Sequence, residues 1–260
     1  MPRMLYIDCF SGVSGDMFLG ALLGLGYPLE ELEKTVAACG LHGHVALGVQ
    51  QVMRNGIAAT HLTVEEKNPD THRSWKDIRS LLEESALEGP VRHRAVGMFQ
   101  RLAQCEAAIH GKPVDDVHFH ELSGADAIVD IAGAASAMAW LAPDRVVVSP
   151  VNVGSGTVRC AHGELPVPAP ATAALLKGVP AYSRFDGELT TPTGALLVTE
   201  FADTFGPMPM MVATDHAVSA GTRRSRTHPN VLRAFLGRSA GHQDHAPEAE
   251  HVIEVQANID

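Results

Sequence analysis

Two histidines one residue apart, His118 and His120, stand beside Glu121, and two aspartates, Asp126 and Asp130, follow shortly after. In an extended segment side chains alternate, so His118 and His120 face one way while Phe119 and Glu121 face the other. A pair of imidazoles with Glu121 or Asp126 close by is a donor set suited to a divalent transition metal. Other roles compete. Ser123 has the position of a helix N-cap, and Asp126 three residues on would complete a capping box. Histidines are also often half-buried and hydrogen-bonded without holding a metal. Asp130 is harder to assign a bland role. It separates Ala127-Ile128-Val129 from Ile131-Ala132-Gly133, and an unpaired charge buried among such residues is expensive. It therefore needs a cation, either a side chain or a bound ion.

Further strings carry polar groups with a chemical use. The apolar run Leu5-Tyr6-Ile7 leads through Asp8, Ser11, Gly12, Ser14, Gly15 and Asp16 into a helical pattern. A strand, a Gly/Ser turn and a helix start offer unpaired N–H groups to an anion, although no Gly-Lys-Ser/Thr follows to make a P-loop. A tight structural turn is the plain alternative. Asp8 and Asp16 also stand where α/β enzymes place working carboxylates. A second such turn runs through Asn152, Gly154, Ser155 and Gly156 and offers backbone donors of the same kind. In Thr190-Thr191-Pro192-Thr193 a helix cap explains one threonine, and the other hydroxyls, with Thr191 and Thr193 foremost, are donors for a bound group. Arg223, Arg224 and Arg226 form a basic loop in an acidic chain, read either as a phosphate contact or as a solvated turn.

The elements that must position these residues alternate. Helical spacing covers 18–25, 28–38, 74–84, 90–110, the stretch reaching 139–141, 171–176 and 195–201. Strand patterns cover 44–53 and 57–66, joined through Asn55-Gly56, a strong hairpin signal, and also 145–148, 210–217 and 229–236. The three alternate prolines of 166–170 make an extended segment unsuited to a central strand. The expected fold class is α/β, a mixed sheet with helices packed on it, its strand order beyond reach of pattern. The expected domains are an N-terminal α/β domain at 1–237, a linker at 238–250 containing His242 and His245, and the start of a C-terminal domain at 251–260. That last strand pattern, with His251 before it, has nothing to cover its face, so it is expected to pair with further chain or a partner.

Composition narrows the classes. With 260 residues and a hydrophobic fraction of 45% the chain can bury one large core or two modest ones. A net charge of −10 argues against a nucleic-acid surface and suits the holding of cations. Aromatics are scarce, and the abundance of Gly and Ala favours close backbone packing. Four separated cysteines, Cys9, Cys39, Cys105 and Cys160, form no CxxC pair, which disfavours a zinc ribbon or redox dithiol. No signal peptide precedes Leu5 and no apolar run reaches spanning length, so a cytoplasmic setting without a membrane is expected. A homo-oligomer stays open.

Several of these strings together resemble the LarC-type nickel insertion proteins of nickel-pincer cofactor synthesis: residues 6–17, His118 to Leu122, Asp126 to Gly133, Val151 to Gly156, His162 to Pro170 and Glu188 to Gly194. They occur in order along nearly the whole chain. The resemblance implies a cytoplasmic metal chelatase of the lyase class. It would insert Ni²⁺ into pyridinium-3,5-bisthiocarboxylic acid mononucleotide, giving the cofactor of lactate racemase-type enzymes. It implies CTP hydrolysis with Mn²⁺ or Mg²⁺, associated with a C-terminal half that acts as partner to this one. On that reading His118 and His120, with Glu121 or Asp126, capture nickel. The substrate phosphate sits on Ser11 to Gly15 or Gly154 to Gly156. A carboxylate (Asp8, Asp16 or Asp130) or His162 accepts the proton lost from the pyridinium carbon. Two other classes compete: a nickel metallochaperone that catalyses nothing, and a metal-dependent phosphohydrolase using Asp8, Asp16 and His120.

Overall fold

The apolar run at Leu5 is the centre of β1 (Arg3–Asp8), which is buried along most of its length. In the computed structural model, which describes residues 1–67, 73–119, 124–160 and 163–240, β1 is followed by α1 (Gly15–Gly24) and α2 (Leu29–Ala38). The hairpin β2 (Val45–Arg54) and β3 (Ile57–Glu66) comes next. Its two-residue turn has Asn55 at φ 48° and Gly56 at φ 83°, the left-handed pair that matches the twist of the flanking strands. Helices α3 (Trp75–Glu83), α4 (Gly89–His110) and α5 (Ala125–Leu141) complete the first half.

The second half opens with β4 (Arg145–Val148) and the short β5 (Val151–Asn152) and β6 (Gly154–Ser155). A separate hairpin, β7 (Thr157–Cys160) with β8 (Gly163–Pro166), lies outside the large sheet, and of the three alternate prolines only Pro166 belongs to it. Then come α6 (Pro170–Leu175), β9 (Ala181–Tyr182), β10 (Gly187–Glu188), α7 (Pro192–Phe201) and β11 (Thr204–Phe205). Two long strands, β12 (Met211–Ala220) and β13 (Val231–Ser239), close the described chain.

Seven strands make one mixed sheet in the order β11-β4-β1-β13-β12-β3-β2, as the α/β reading expects. β1 lies parallel to β4 and antiparallel to β13. β12 meets β3 in parallel at one register pair only, Ser219 opposite Thr60, so the two strands part just beyond it. α1 lies over β3, β12 and β13, and α5 lies among α1, α2, α4 and α7. The Ala-rich sequence of α5 explains that central place, because small side chains let surrounding helices approach closely. β13 runs to Ser239, two residues into the stretch read as linker; residues 241–260, with His242, His245 and His251, lie outside the described residues.

The entry to α5 differs from the sequence reading. His118 makes only an isolated bridge with Ser74, not a strand, although the expected alternation holds: His118 is exposed and Phe119 is buried against Phe99. His120, Glu121 and Ser123 lie outside the described residues. Gly124 is the N-cap of α5 and supplies no side chain. Asp126 completes no capping box; its Oδ1 accepts from the adjacent N–H of Ala127 at 2.8 Å. The cap comes from elsewhere in the chain, since Glu66 Oε2 on β3 accepts from the N–H of Ala125 at 3.1 Å. A carboxylate there also suits the positive end of the helix dipole.

The helix start at α3 is a true capping box, with Ser74 and Asp77 each bonded to the other's backbone N–H. Ser74→Ala should lower stability by about 1 kcal/mol, seen as a lower urea midpoint with an unchanged slope.

Candidate functional site

Several of the candidate residues gather where β12 and β3 part. A pocket of about 650 Å³ opens there, walled by the start of α1, residues 62–65 of β3, Asp126 and Asp130 of α5, the start of α7 and the loop after β12. It forms because β3 turns away after its single pairing with β12 while α1 bridges both strands. Such concave sites with convergent polar groups are where small ligands bind.

Asp130 projects from α5 into this pocket wall. Its Oδ1 is buried without a hydrogen-bond partner among the described residues. Burial, reinforced by the nearby charges of Asp16 and Asp126, pushes its carboxyl well above the ordinary carboxylate range. Asp16 is largely buried too, and desolvation raises its carboxyl as well. Hydrogen bonds from Ser14 and from the N–H of Met17, together with His61 and Thr222, pull it part of the way back. Two neighbouring carboxyls of raised affinity for protons form a centre that exchanges a proton or accepts a cation. Gly15 makes their approach possible, because a Cβ on it would lie 2.1 Å from Asp130 Oδ2.

Of the residues read from sequence, Ser14, Gly15, Asp16, Asp126, Asp130, Thr191 and Thr193 line this pocket. Thr191 is also the N-cap of α7, its Oγ1 accepting from the N–H of Gly194 at 3.2 Å. The others are placed differently. Ser11 is fully buried and donates to the Pro229 carbonyl at 2.6 Å, and Gly12 lies against the Leu189 carbonyl; both hold the turn in place. Asp8 pairs with Arg233 across the β1–β13 ladder and does not line the pocket. Asn152 is fully buried. Its Oδ1 accepts from the N–H groups of Gly154 and Arg184, and its Nδ2 donates to the Phe10 carbonyl. Ser155 bonds to Phe185 and Asp186, and nothing lies near the Cα of Gly156. The 152–156 turn thus spends its donors on the fold.

Of the four expected metal ligands only His118 and Asp126 are described, and these two line different hollows. His118 borders a separate small hollow with His110, away from Asp126. His120, Glu121 and the proposed base His162 lie outside the described residues. Among the described residues no group of three or more His, Cys, Asp or Glu side chains is placed to hold a metal ion.

Arg223 of the basic loop and Asn230, which spacing did not single out, also line the pocket, and His61 stands next to its Leu62. Arg223 donates to the Asp186 and Glu188 carbonyls, and Asn230 Nδ2 donates to the Arg223 carbonyl at 3.0 Å. His61 Nδ1 donates to the Ala220 carbonyl at 2.9 Å, just where β12 leaves β3. Only the basic character of the loop signalled any of these, since the contacts join segments far apart in sequence.

The family model described as "Nickel insertion protein" matches residues 5–260. The chain belongs to that family. It is 47% identical over 233 residues to the "Pyridinium-3,5-bisthiocarboxylic acid mononucleotide nickel insertion protein" of Nocardioides sp., covering 89% of this chain and 59% of the relative. Two relatives named "Putative nickel insertion protein" are also similar. That of Geobacter metallireducens is 44% identical over 92% of this chain and 62% of its own length. That of Geotalea daltonii is 40% identical over 99% of this chain and 66% of its own length. The chain therefore spans about three-fifths to two-thirds of the length of these relatives. No solved structure matches it. No described helix is long and apolar enough to cross a membrane, and all four cysteines are free.

For this nickel insertion family member, Gly15→Ala should drive a methyl group into the Asp130 carboxyl. The expected loss is about 1–3 kcal/mol, as for overpacked interiors, read by thermal denaturation. Asp130→Asn should do the opposite in the ligand-free protein. The folded state holds the Asp130 proton to higher pH than the unfolded chain, so this residue's contribution is intact below about pH 4 and declines as pH rises through its raised folded value. The variant should gain stability relative to the parent as pH rises from about 4 toward 8; parallel pH–stability curves would contradict the assignment.

Proposed function

We propose that the chain is the part of a nickel insertion enzyme that holds pyridinium-3,5-bisthiocarboxylic acid mononucleotide while Ni²⁺ enters it. The observation that carries this reading is the unpartnered carboxyl of Asp130 beside Asp16 in the polar pocket. The charges of the ligand complement the walls. A cationic ring and a dication suit Asp16, Asp126 and Asp130. A phosphate suits the start of α7, where Thr191 and Thr193 stand at the positive end of the helix, with Arg223 across the pocket.

The chemistry then follows from Asp130. When a cation arrives, its charge offsets the desolvation that kept the carboxyl protonated, and the proton leaves. The resulting carboxylate accepts the proton from the ring carbon as the C–H bond breaks, and that bond's electron pair passes to nickel as the Ni–C bond forms. No oxidation or reduction is needed. The two sulfur atoms of the substrate supply soft donors to nickel, so the chain need not provide a closed ligand cage. CTP hydrolysis with Mn²⁺ or Mg²⁺ belongs, on this reading, to the further length of the longer relatives, with which this part works in a cytoplasmic setting. The product would serve lactate racemase-type enzymes. The phosphohydrolase alternative needs Asp8 at the site, whereas Asp8 is engaged by Arg233.

The test is nickel insertion by the full-length protein supplied with the mononucleotide, Ni²⁺ and CTP. Asp130→Asn should lower kcat by about 10²–10⁴-fold, the usual worth of a general base, with little change in KM for the mononucleotide. Activity within a few-fold of the parent would remove Asp130 from the reaction. Metal transfer without any turnover would favour the metallochaperone instead.

A further inference from the structure

Arg54, at the end of β2, is 6% exposed and forms no ion pair with a carboxylate among the described residues. Its guanidinium donates to two carbonyls, that of Met53 at 3.4 Å and that of Gly221 at 3.1 Å. Its Nε is buried without a partner. A guanidinium carries five N–H donors and does not shed its charge in proteins, so burial without a counter-ion is expensive. Beside it lies a hollow of about 360 Å³, separate in its lining from the pocket of Asp130, with Asn55, Arg224 and Ser225 on its walls and no acidic residue among them. The Ser225 hydroxyl is held in place by the N–H of Thr227 at 3.3 Å and lies 3.0 Å from His228 Nδ1. Two guanidiniums, an amide and a hydroxyl thus line one hollow in a chain of net charge −10. The internal acceptors of Arg54 and Asn55 are neutral carbonyls, with Asn55 Nδ2 reaching that of Arg226 at 3.5 Å, and no carboxylate lines the hollow.

The geometry points to this hollow as a binding site for a phosphate group, contacted by Arg54 and Arg224 with Asn55 and Ser225 as neutral donors. Planar guanidinium forks match the oxygen spacing of phosphate. The phosphate comes either as the free ion or on a nucleotide. The site stands apart from the insertion chemistry, yet it is linked to it. Arg54 holds the Gly221 carbonyl, and Gly221 lines the Asp130 pocket, so an anion that fixes Arg54 also fixes that wall.

Calorimetric titration of the purified protein with inorganic phosphate, and separately with a nucleoside monophosphate, tests this at constant ionic strength set with chloride. Saturable binding is expected for at least one of them. Arg224→Gln, a change at an exposed residue outside the Asp130 pocket, should weaken it at least tenfold, and Asp130→Asn should leave it unchanged. Tighter binding of the monophosphate than of free phosphate would assign the nucleotide as source, and equal or weaker binding the free ion. No saturable binding of either, or binding that Arg224→Gln leaves intact, would overturn the proposal. Because the readout is anion binding and not nickel insertion, its failure is distinguishable from failure of the Asp130 reading.

Discussion

A carboxyl with one buried oxygen left without a hydrogen-bond partner among the described residues, in the middle of an apolar helix, is the constraint around which this fold is arranged. Asp130 sits on α5, the helix enclosed by four others, and its neighbours on that helix are almost all buried. Were the carboxyl placed one residue earlier or later, it would face helix–helix packing and not the pocket. Its position fixes the rotation of α5 about its own axis. That rotation in turn requires a glycine on the facing turn of α1, which Gly15 supplies. The wall opposite is set by the divergence of β3 from β12, so one side chain links helix layer, sheet topology and cavity.

This arrangement works against stability and for chemistry at the same time. A neutral amide at position 130 would hydrate or pack without the electrostatic penalty that Asp16 and Asp126 impose on a charge there. Proteins keep such groups at working sites, where strain in the empty state becomes affinity in the loaded one. Burial raises the carboxyls of both Asp16 and Asp130, so each holds its proton more tightly than an exposed carboxyl would, and a nearby positive charge works in the opposite direction.

Much of the scaffold was legible in the sequence because it rests on local rules. The Asn55-Gly56 hairpin, the Ser74 start of α3 and the Thr191 start of α7 follow from turn and capping chemistry within a few residues. Asp130 was legible for a different reason: its apolar neighbours declared its burial, and burial made the charge conspicuous. The strand order was not legible, since β1 pairs with strands from the far end of the chain. Nor was the fate of the two glycine-rich turns. Pattern reveals that N–H donors exist at Ser11 to Gly15 and at Asn152 to Gly156, but not whether the fold has already used them. Asn152 consumes the donors of its own turn, while Ser14 and Gly15 remain at the pocket. At His118 and Phe119, one exposed and one buried, alternation still says nothing about what lies opposite, and His118 bridges Ser74.

The loop after β12 shows how a stretch that reads as a basic surface turn becomes structural. Gly221 is held by Arg54 from β2, Arg223 reaches the carbonyls of Asp186 and Glu188, and Asn230 closes back onto Arg223. Each bond uses a backbone carbonyl as acceptor, and those of Arg54 and Arg223 join segments remote in sequence. A loop fixed in this way serves better as a wall than as a lid. It presents Arg223 to one cavity and Arg224 to another, and the bond from Arg54 to the Gly221 carbonyl links the two walls. A preorganised wall of this kind lowers the ordering entropy that a flexible basic loop would lose on meeting an anion.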